Sequence, residues 1–136
     1  MPPNSTRQIK PPQIHLIRAY DIRAGTPTLG ARLLVDRLWP RGIAKSDLPI
    51  EAWLKSATPS PNLRKWFGHD PAKWADFTAR YRAELTATPE PLAEALKWCR
   101  KGPVTLIYAA RDTDHTHALI LRDVLLETIT HEANHA

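Results

Sequence analysis

The sequence is poor in the residues that cross-link small secreted domains or carry thiol chemistry. It holds one cysteine, Cys99, among 136 residues, which excludes an internal disulfide and fits a reducing cytoplasm. No apolar run approaches the roughly 20 residues that span a bilayer, and the opening residues MPPNSTRQIKPPQ lack the apolar stretch of a secretory signal. We therefore expect a cytoplasmic protein that does not span a membrane.

Long runs of one charge are also absent. The formal net charge is +5 and the pI is about 9.7, but the basic residues are scattered along the chain. A moderate positive charge favours approach to nucleic acid, nucleotides or other anions through long-range attraction. A solvated surface with extra arginine explains the charge equally well, so both interpretations stay open.

The composition is that of a globular protein, with 43% hydrophobic and 24% charged residues. A length of 136 residues predicts a single domain. Prolines among polar residues predict a disordered N-terminal tail over 1–13. We assign 14–131 to the domain and 132–136 to a frayed C-terminus.

Strand signals occur at 14–19, 32–36 and 104–109, the last of which (VTLIYA) is rich in β-branched residues. Helix signals begin near residues 49, 60, 70, 89 and 114. The first of these has apolar side chains at 50, 53, 54 and 57, the spacing of one helix face, and the others open with a capping residue, a proline or both. Strands that alternate with helices predict an α/β fold, with a small, mostly parallel sheet of three or four strands covered by about five helices.

Two of the predicted strands are followed by polar loops, and ligands of parallel α/β sheets bind beyond the carboxyl ends of strands. The first loop carries Asp36, Arg37, Arg41 and Lys45. Arginine grips phosphate or carboxylate through two parallel hydrogen bonds. We therefore predict that Arg37, Arg41 and Lys45 bind an anion and that Asp36 orients a histidine or an arginine.

The second loop contains Arg111, Asp112, His115 and His117. Histidine exchanges protons near neutral pH, and the amino end of the following helix favours an anion. Arg111 joins the predicted anion ligands, and Asp112, His115 and His117 join Asp36 as predicted catalytic residues. If the two strands are neighbours in the sheet, the two loops face each other.

The acidic residues also have structural interpretations. Asp112 or Asp114 suits the N-cap of the last helix. Asp36 suits an ion pair with Arg37 or Arg111 at a strand end. These alternatives stay open at the level of the sequence.

A metal site is not predicted, and the sequence leaves the cofactor unknown. His115 and His117, with Asp112 and Asp114, are residue types that bind zinc. Two residues apart on a helix, however, the imidazoles would point about 200° away from each other. They could share a metal only in an extended segment.

Several stretches resemble the YeaO-like family, a small single-domain branch of the domain of unknown function 488 (DUF488) superfamily. They include IRAYD (17–21), DRLWPRG (36–42), LRKWFGHDPAKWADF (63–77) and VTLIYAARD (104–112). The similarity runs from about Ile14 to Glu127. It implies an α/β fold, in a family that has no established activity.

The resemblance also bears on thiol chemistry. Relatives in the larger branch of the superfamily carry cysteines in the second polar loop, whereas this sequence has Tyr108, Ala110 and His115–Ala118 there. Asp36 and Arg37 match the first-loop signature in kind. The resemblance therefore implies no thiol-based mechanism for this chain.

Three functional hypotheses follow. The leading one is an enzyme, or a former enzyme, that binds and processes a phosphate-bearing ligand such as a nucleotide or nucleic acid, with His115 or His117 moving protons. The main alternative is a non-catalytic nucleic-acid-binding module, whose affinity depends on the basic residues alone. The third is a scaffold or protein-interaction module, in which Arg37 and Arg41 pair with internal carboxylates.

Overall fold

The computed structural model describes residues 13–134, so the expected disordered tail lies outside the described residues except for Gln13. One sheet contains four strands: β1 (Ile14–Arg18), β2 (Ala31–Leu34), β3 (Ala52–Trp53) and β4 (Val104–Tyr108). Within the described range there are five α-helices: α1 (Ala19–Arg23), α2 (Pro61–Phe67), α3 (Trp74–Ala87), α4 (Pro89–Lys101) and α5 (His117–Asn134). The predicted α/β class is confirmed.

The last helix continues into the segment that was expected to fray, since α5 ends at Asn134, and residues 135–136 lie outside the described residues. None of the helices formed by residues 13–134 combines the length and the apolar character that a bilayer crossing requires.

The strand order places the two polar loops side by side. The order is β1-β4-β2-β3 and every neighbouring pair is parallel. β4 therefore lies between β1 and β2, with Ile107 opposite both Ile17 and Leu34. Because the carboxyl ends of parallel strands meet at one edge, the loops that follow β2 and β4 leave the sheet next to each other.

Both faces of the sheet are buried. Leu33 and Leu106 face a core built with α2 to α5, whereas Leu34 and Ile107 face a second core built with α1 and the loop after β2. The exposed fraction of each of these four residues is 0%. Burial on both faces explains why β2 and β4 appear in the sequence as continuous apolar runs.

One predicted helix is wrong. The segment after Pro49 forms β3 and a 3₁₀ turn (Lys55–Ala57) in place of an α-helix. The edge of β2 supplies its backbone partners, and the N–H of Leu54 donates to the carbonyl oxygen of Leu34 at 2.8 Å. The apolar positions do not share one face, since 50 and 53 pack into the second core and 54 and 57 into the first.

Helix α2 begins near residue 60, as predicted. Ser60 Oγ accepts a hydrogen bond from the N–H of Leu63 at 3.2 Å, and Gly68 ends the helix in the left-handed conformation, with φ of 56°. Leu63 and Phe67 are buried. This anchoring fixes Arg64, on the turn between them, at the carboxyl edge of the sheet.

Candidate functional site

A cavity of about 350 Å³ opens at the carboxyl ends of β2 and β4. Ligand pockets begin at about 300 Å³, so it has room for one small organic group. Five predicted site residues line it: Asp36, Arg37, Arg41, His115 and His117. The other three, Lys45, Arg111 and Asp112, do not.

Asp36, which follows β2, links the carboxyl ends of β2 and β4. Its Oδ2 accepts a hydrogen bond from the N–H of Ala109 at 2.8 Å, and its Oδ1 lies 3.6 Å from Nε2 of His117. Burial raises the pKa of Asp36, against the opposing effects of His117 and of the Ala109 N–H. Among residues 13–134, Asp36 forms no ion pair with Arg37 or Arg111, so that structural interpretation is wrong.

His117 opens α5 and its side chain is only 16% exposed. Its Nε2 lies 2.5 Å from the carbonyl oxygen of Val35. Because a carbonyl can only accept, Nε2 carries a proton and donates it. Burial lowers the pKa of His117 despite the nearby Asp36, which favours the neutral ring. His117 therefore acts as a buried donor at the end of β2.

His115 and Asp112 form a pair at the rim of the cavity. Nδ1 of His115 lies 2.8 Å from Oδ2 of Asp112, while Oδ1 accepts from the N–H groups of Asp114 and His115 at 3.0 and 3.1 Å. The hydrogen bond from His115 lowers the pKa of Asp112, so Asp112 is ionised and accepts the Nδ1 proton. Nε2 of His115 makes no hydrogen bond within the described part of the chain.

The cap of α5 is neither Asp112 nor Asp114. Thr116 directly precedes the helix, and its Oγ1 accepts a hydrogen bond from the N–H of Ala118 at 3.4 Å. Thr116 is only 2% exposed. The carboxylate of Asp112 instead shapes the loop that holds His115.

Arg37 and Arg41 lie exposed on the cavity wall. Neither guanidinium makes a hydrogen bond or an ion pair within residues 13–134, contrary to the internal pairing that the scaffold hypothesis expects. The loop between them is nevertheless fixed. The hydroxyl of Tyr20 donates to the carbonyl oxygen of Arg41 at 2.9 Å, and Nε1 of Trp39 donates to that of Ile43 at 2.6 Å.

Arg64, which lines the cavity beside Asp36 and His117, was not among the predicted site residues. Its positive charge opposes the rise in the pKa of Asp36 and adds to the fall in the pKa of His117. Its Nε is buried and has no hydrogen-bond partner among the described residues, an arrangement that costs about 1–3 kcal/mol or more for a charged group. The sequence marks Arg64 only as a charged residue between the buried positions of a short capped helix.

Lys45 and Arg111 are exposed and lie outside the cavity wall. Lys45 begins a 3₁₀ turn (Lys45–Asp47) in the segment between β2 and β3. The two histidines do not share a metal position, because His115 is hydrogen-bonded to Asp112 and His117 to Val35. Residues 13–134 contain no group of three side chains suited to a metal ion.

The fold and the cavity define a small parallel α/β domain with arginines and a buried carboxylate at one edge of its sheet. The chain belongs to the DUF488 family described as the "Inactive DUF488-N3 subclade", whose model matches residues 13–136. The resemblance to YeaO-like proteins is thereby confirmed.

Curated relatives match over most of their length. The chain is 45% identical over 96 residues to "Uncharacterized protein YeaO" of Escherichia coli strain K12, which covers 71% of this chain and 84% of that protein. It is 36% identical over 118 residues to "Uncharacterized protein Mb3100c" of Mycobacterium bovis and to "Uncharacterized protein Rv3073c" of Mycobacterium tuberculosis, covering 86% of this chain and 97% of each relative. No solved structure matches the chain significantly.

Proposed function

We propose that the cavity binds a phosphate-bearing ligand of nucleotide size. The observation that carries this proposal is Arg64, whose Nε is buried in the cavity wall without a hydrogen-bond partner among the described residues. The terminal N–H groups of the same guanidinium also have no hydrogen-bond partner among the described residues, and they are the donors that a ligand oxygen in the cavity would reach. Arg37 and Arg41 stand on the same wall, and no described residue binds their guanidinium groups. Planar arginine forks suit phosphate oxygens.

The rest of the wall suits the uncharged part of a nucleotide. Its apolar and aromatic residues are Tyr20, Leu38, Trp39, Pro40, Pro59, Phe67 and Phe77. Among the described lining residues, Asp36 is the only carboxylate. Burial raises the pKa of Asp36, so its carboxylate takes up a proton at a higher pH than that of an exposed aspartate.

The test is calorimetric titration with the four 5′-mononucleotides. The variant Arg37→Gln/Arg41→Gln removes two charges from the cavity, and the matched control Lys45→Gln/Arg111→Gln removes two charges outside it. Each hydrogen bond to a charged group contributes about 1.5–3 kcal/mol, so we expect the first variant to lose at least about 10-fold in affinity and the control about 2-fold or less. Equal losses would favour the nucleic-acid-binding module with no defined pocket. No binding by the wild type would overturn the proposal.

Arg64→Met separates binding from folding. Since methionine removes the buried unpartnered donor and keeps much of the side-chain volume, the variant should unfold at the same or a higher urea concentration than the wild type. Its nucleotide affinity should nevertheless fall. A variant that is destabilised and still binds would assign Arg64 a structural role.

A second candidate function is proton transfer to or from the bound ligand. Two of the four predicted catalytic residues, His115 and His117, keep a ring nitrogen without a hydrogen-bond partner within the described residues, and only His115 has its other nitrogen oriented by the ionised carboxylate of Asp112. The description of the family as inactive favours binding without turnover. Incubation with the bound nucleotide, followed by chromatography of the products, distinguishes binding alone from binding with processing. Turnover that His115→Gln abolishes while binding persists would support processing, and no product from the wild type would exclude it for that ligand.

A further inference from the structure

The cavity of the proposed function, here called the inner cavity, lies beside a second one. The outer cavity has a volume of about 460 Å³. The two share four lining residues, Arg37, Leu38, Thr58 and Pro59. The two cavities are therefore adjacent and share a wall, along which a ligand longer than a single nucleotide could lie.

The charge of the outer cavity is also positive. Arg37 and Lys55 line it, and no carboxylate does so among the described residues. Nζ of Lys55 lies 4.0 Å from the centroid of the Trp53 ring and forms no ion pair within residues 13–134. Stacking over the indole fixes the ammonium in place while its N–H donors stay available.

The shared wall carries an exposed apolar side chain. Leu38 is 72% exposed, follows Arg37 in the chain and lines both cavities. A cation and a large apolar group side by side suit a ligand in which phosphates alternate with flat, weakly polar rings.

We propose that the ligand is a single-stranded nucleic-acid end of at least two nucleotides, an inference that rests on the proposed function. The terminal nucleotide occupies the inner cavity, whose volume of about 350 Å³ admits one such group. The next phosphate lies against Arg37, and the second nucleotide packs on Leu38 with Lys55 beside its backbone. A paired base could not enter the inner cavity without leaving its duplex.

The test compares a 5′-mononucleotide, the corresponding dinucleotide and a blunt-ended duplex by calorimetry at fixed ionic strength. The dinucleotide adds one phosphate contact and one apolar contact. It should therefore bind at least about 10-fold more tightly than the mononucleotide. Lys55→Gln should remove most of that gain and leave the affinity for the mononucleotide unchanged. The control Lys45→Gln, a lysine outside both cavities, should change neither affinity.

The outcomes separate the two proposals. Equal affinities for mononucleotide and dinucleotide would overturn this inference and leave the proposed function standing. Absence of binding by both would overturn both. A duplex that binds as tightly as the dinucleotide, or a Lys45→Gln variant that loses as much as Lys55→Gln, would contradict the single-stranded ligand and indicate attraction by surface charge.

Discussion

Replacing His117 by glutamine tests whether the imidazole between Val35 and Asp36 is neutral in the folded protein. Glutamine can place an N–H donor near the position of Nε2, so the hydrogen bond to the carbonyl oxygen of Val35 can be kept. It cannot titrate. The difference between wild type and variant therefore isolates the proton of this one histidine.

The sign follows from the two pKa values of His117. The unfolded chain takes up a proton near the ordinary pKa of 6.5, whereas burial lowers the pKa in the folded protein. Between these values the unfolded chain holds more protons, so the free energy of unfolding decreases as the pH falls, by up to about 1.4 kcal/mol per pH unit. Asp36 acts in the opposite sense, because its raised pKa gives the folded protein the extra proton in a window that opens above 3.8.

Urea unfolding, followed by tryptophan fluorescence, measures the effect between about pH 7.5 and about pH 5.5. Over this range the wild type should lose about 1 kcal/mol more stability than His117→Gln. In an Asp36→Asn background the carboxylate no longer raises the pKa of His117, so the folded-state pKa of His117 falls further and the difference should grow. If the wild type loses no more than the variant, His117 is protonated in the folded protein and forms a charged pair with Asp36, and our assignment of its proton is wrong.

Two further predictions concern stability, both measured by urea unfolding. Gly30→Ala should cost several kcal/mol, since φ is +73° and the new Cβ would lie 1.9 Å from the backbone oxygen of Pro103. Gly42→Ala, with φ of +80° and no atom within 4 Å, should cost only the left-handed strain of about 1–2 kcal/mol, and equal losses would show that the contact with Pro103 relaxes freely. Tyr81→Phe should cost about 1–3 kcal/mol, because it leaves the buried carbonyl oxygen of Ala57 without its hydroxyl donor; an unchanged midpoint would show that another group replaces that donor.

The helices were predictable where local signals decide the structure. The Ser60 cap, the first-turn proline and Gly68 define α2 within a few residues, because capping depends on neighbours along the chain. The prediction of a helix after Pro49 was wrong for the opposite reason. Its hydrogen bonds come from β2, and an apolar spacing that fits a helix also fits an edge strand that contacts two cores.

The location of the candidate site could be predicted from the sequence, but the set of residues that line it could not. Strand order brings the two polar loops together, as the rule for parallel sheets requires. Which side chains enter the cavity depends on loop paths and on α2, and these are tertiary features. Lys45 and Arg111 therefore lie outside the wall, while Arg64, far from either loop in sequence, lies in it.

Asp36, His117 and Arg64 lie together at the cavity wall. Backbone hydrogen bonds explain the positions of the first two residues but not that of Arg64. Asp36 accepts from the N–H of Ala109, and His117 donates to the oxygen of Val35. These side chains satisfy backbone groups just beyond the last residues of β2 and β4, so both have a structural reason to be there. Arg64 satisfies no such group, since its Nε is buried without a partner among the described residues. Arg64 is therefore the one of these three residues whose position the proposed ligand, rather than backbone hydrogen bonding, would account for.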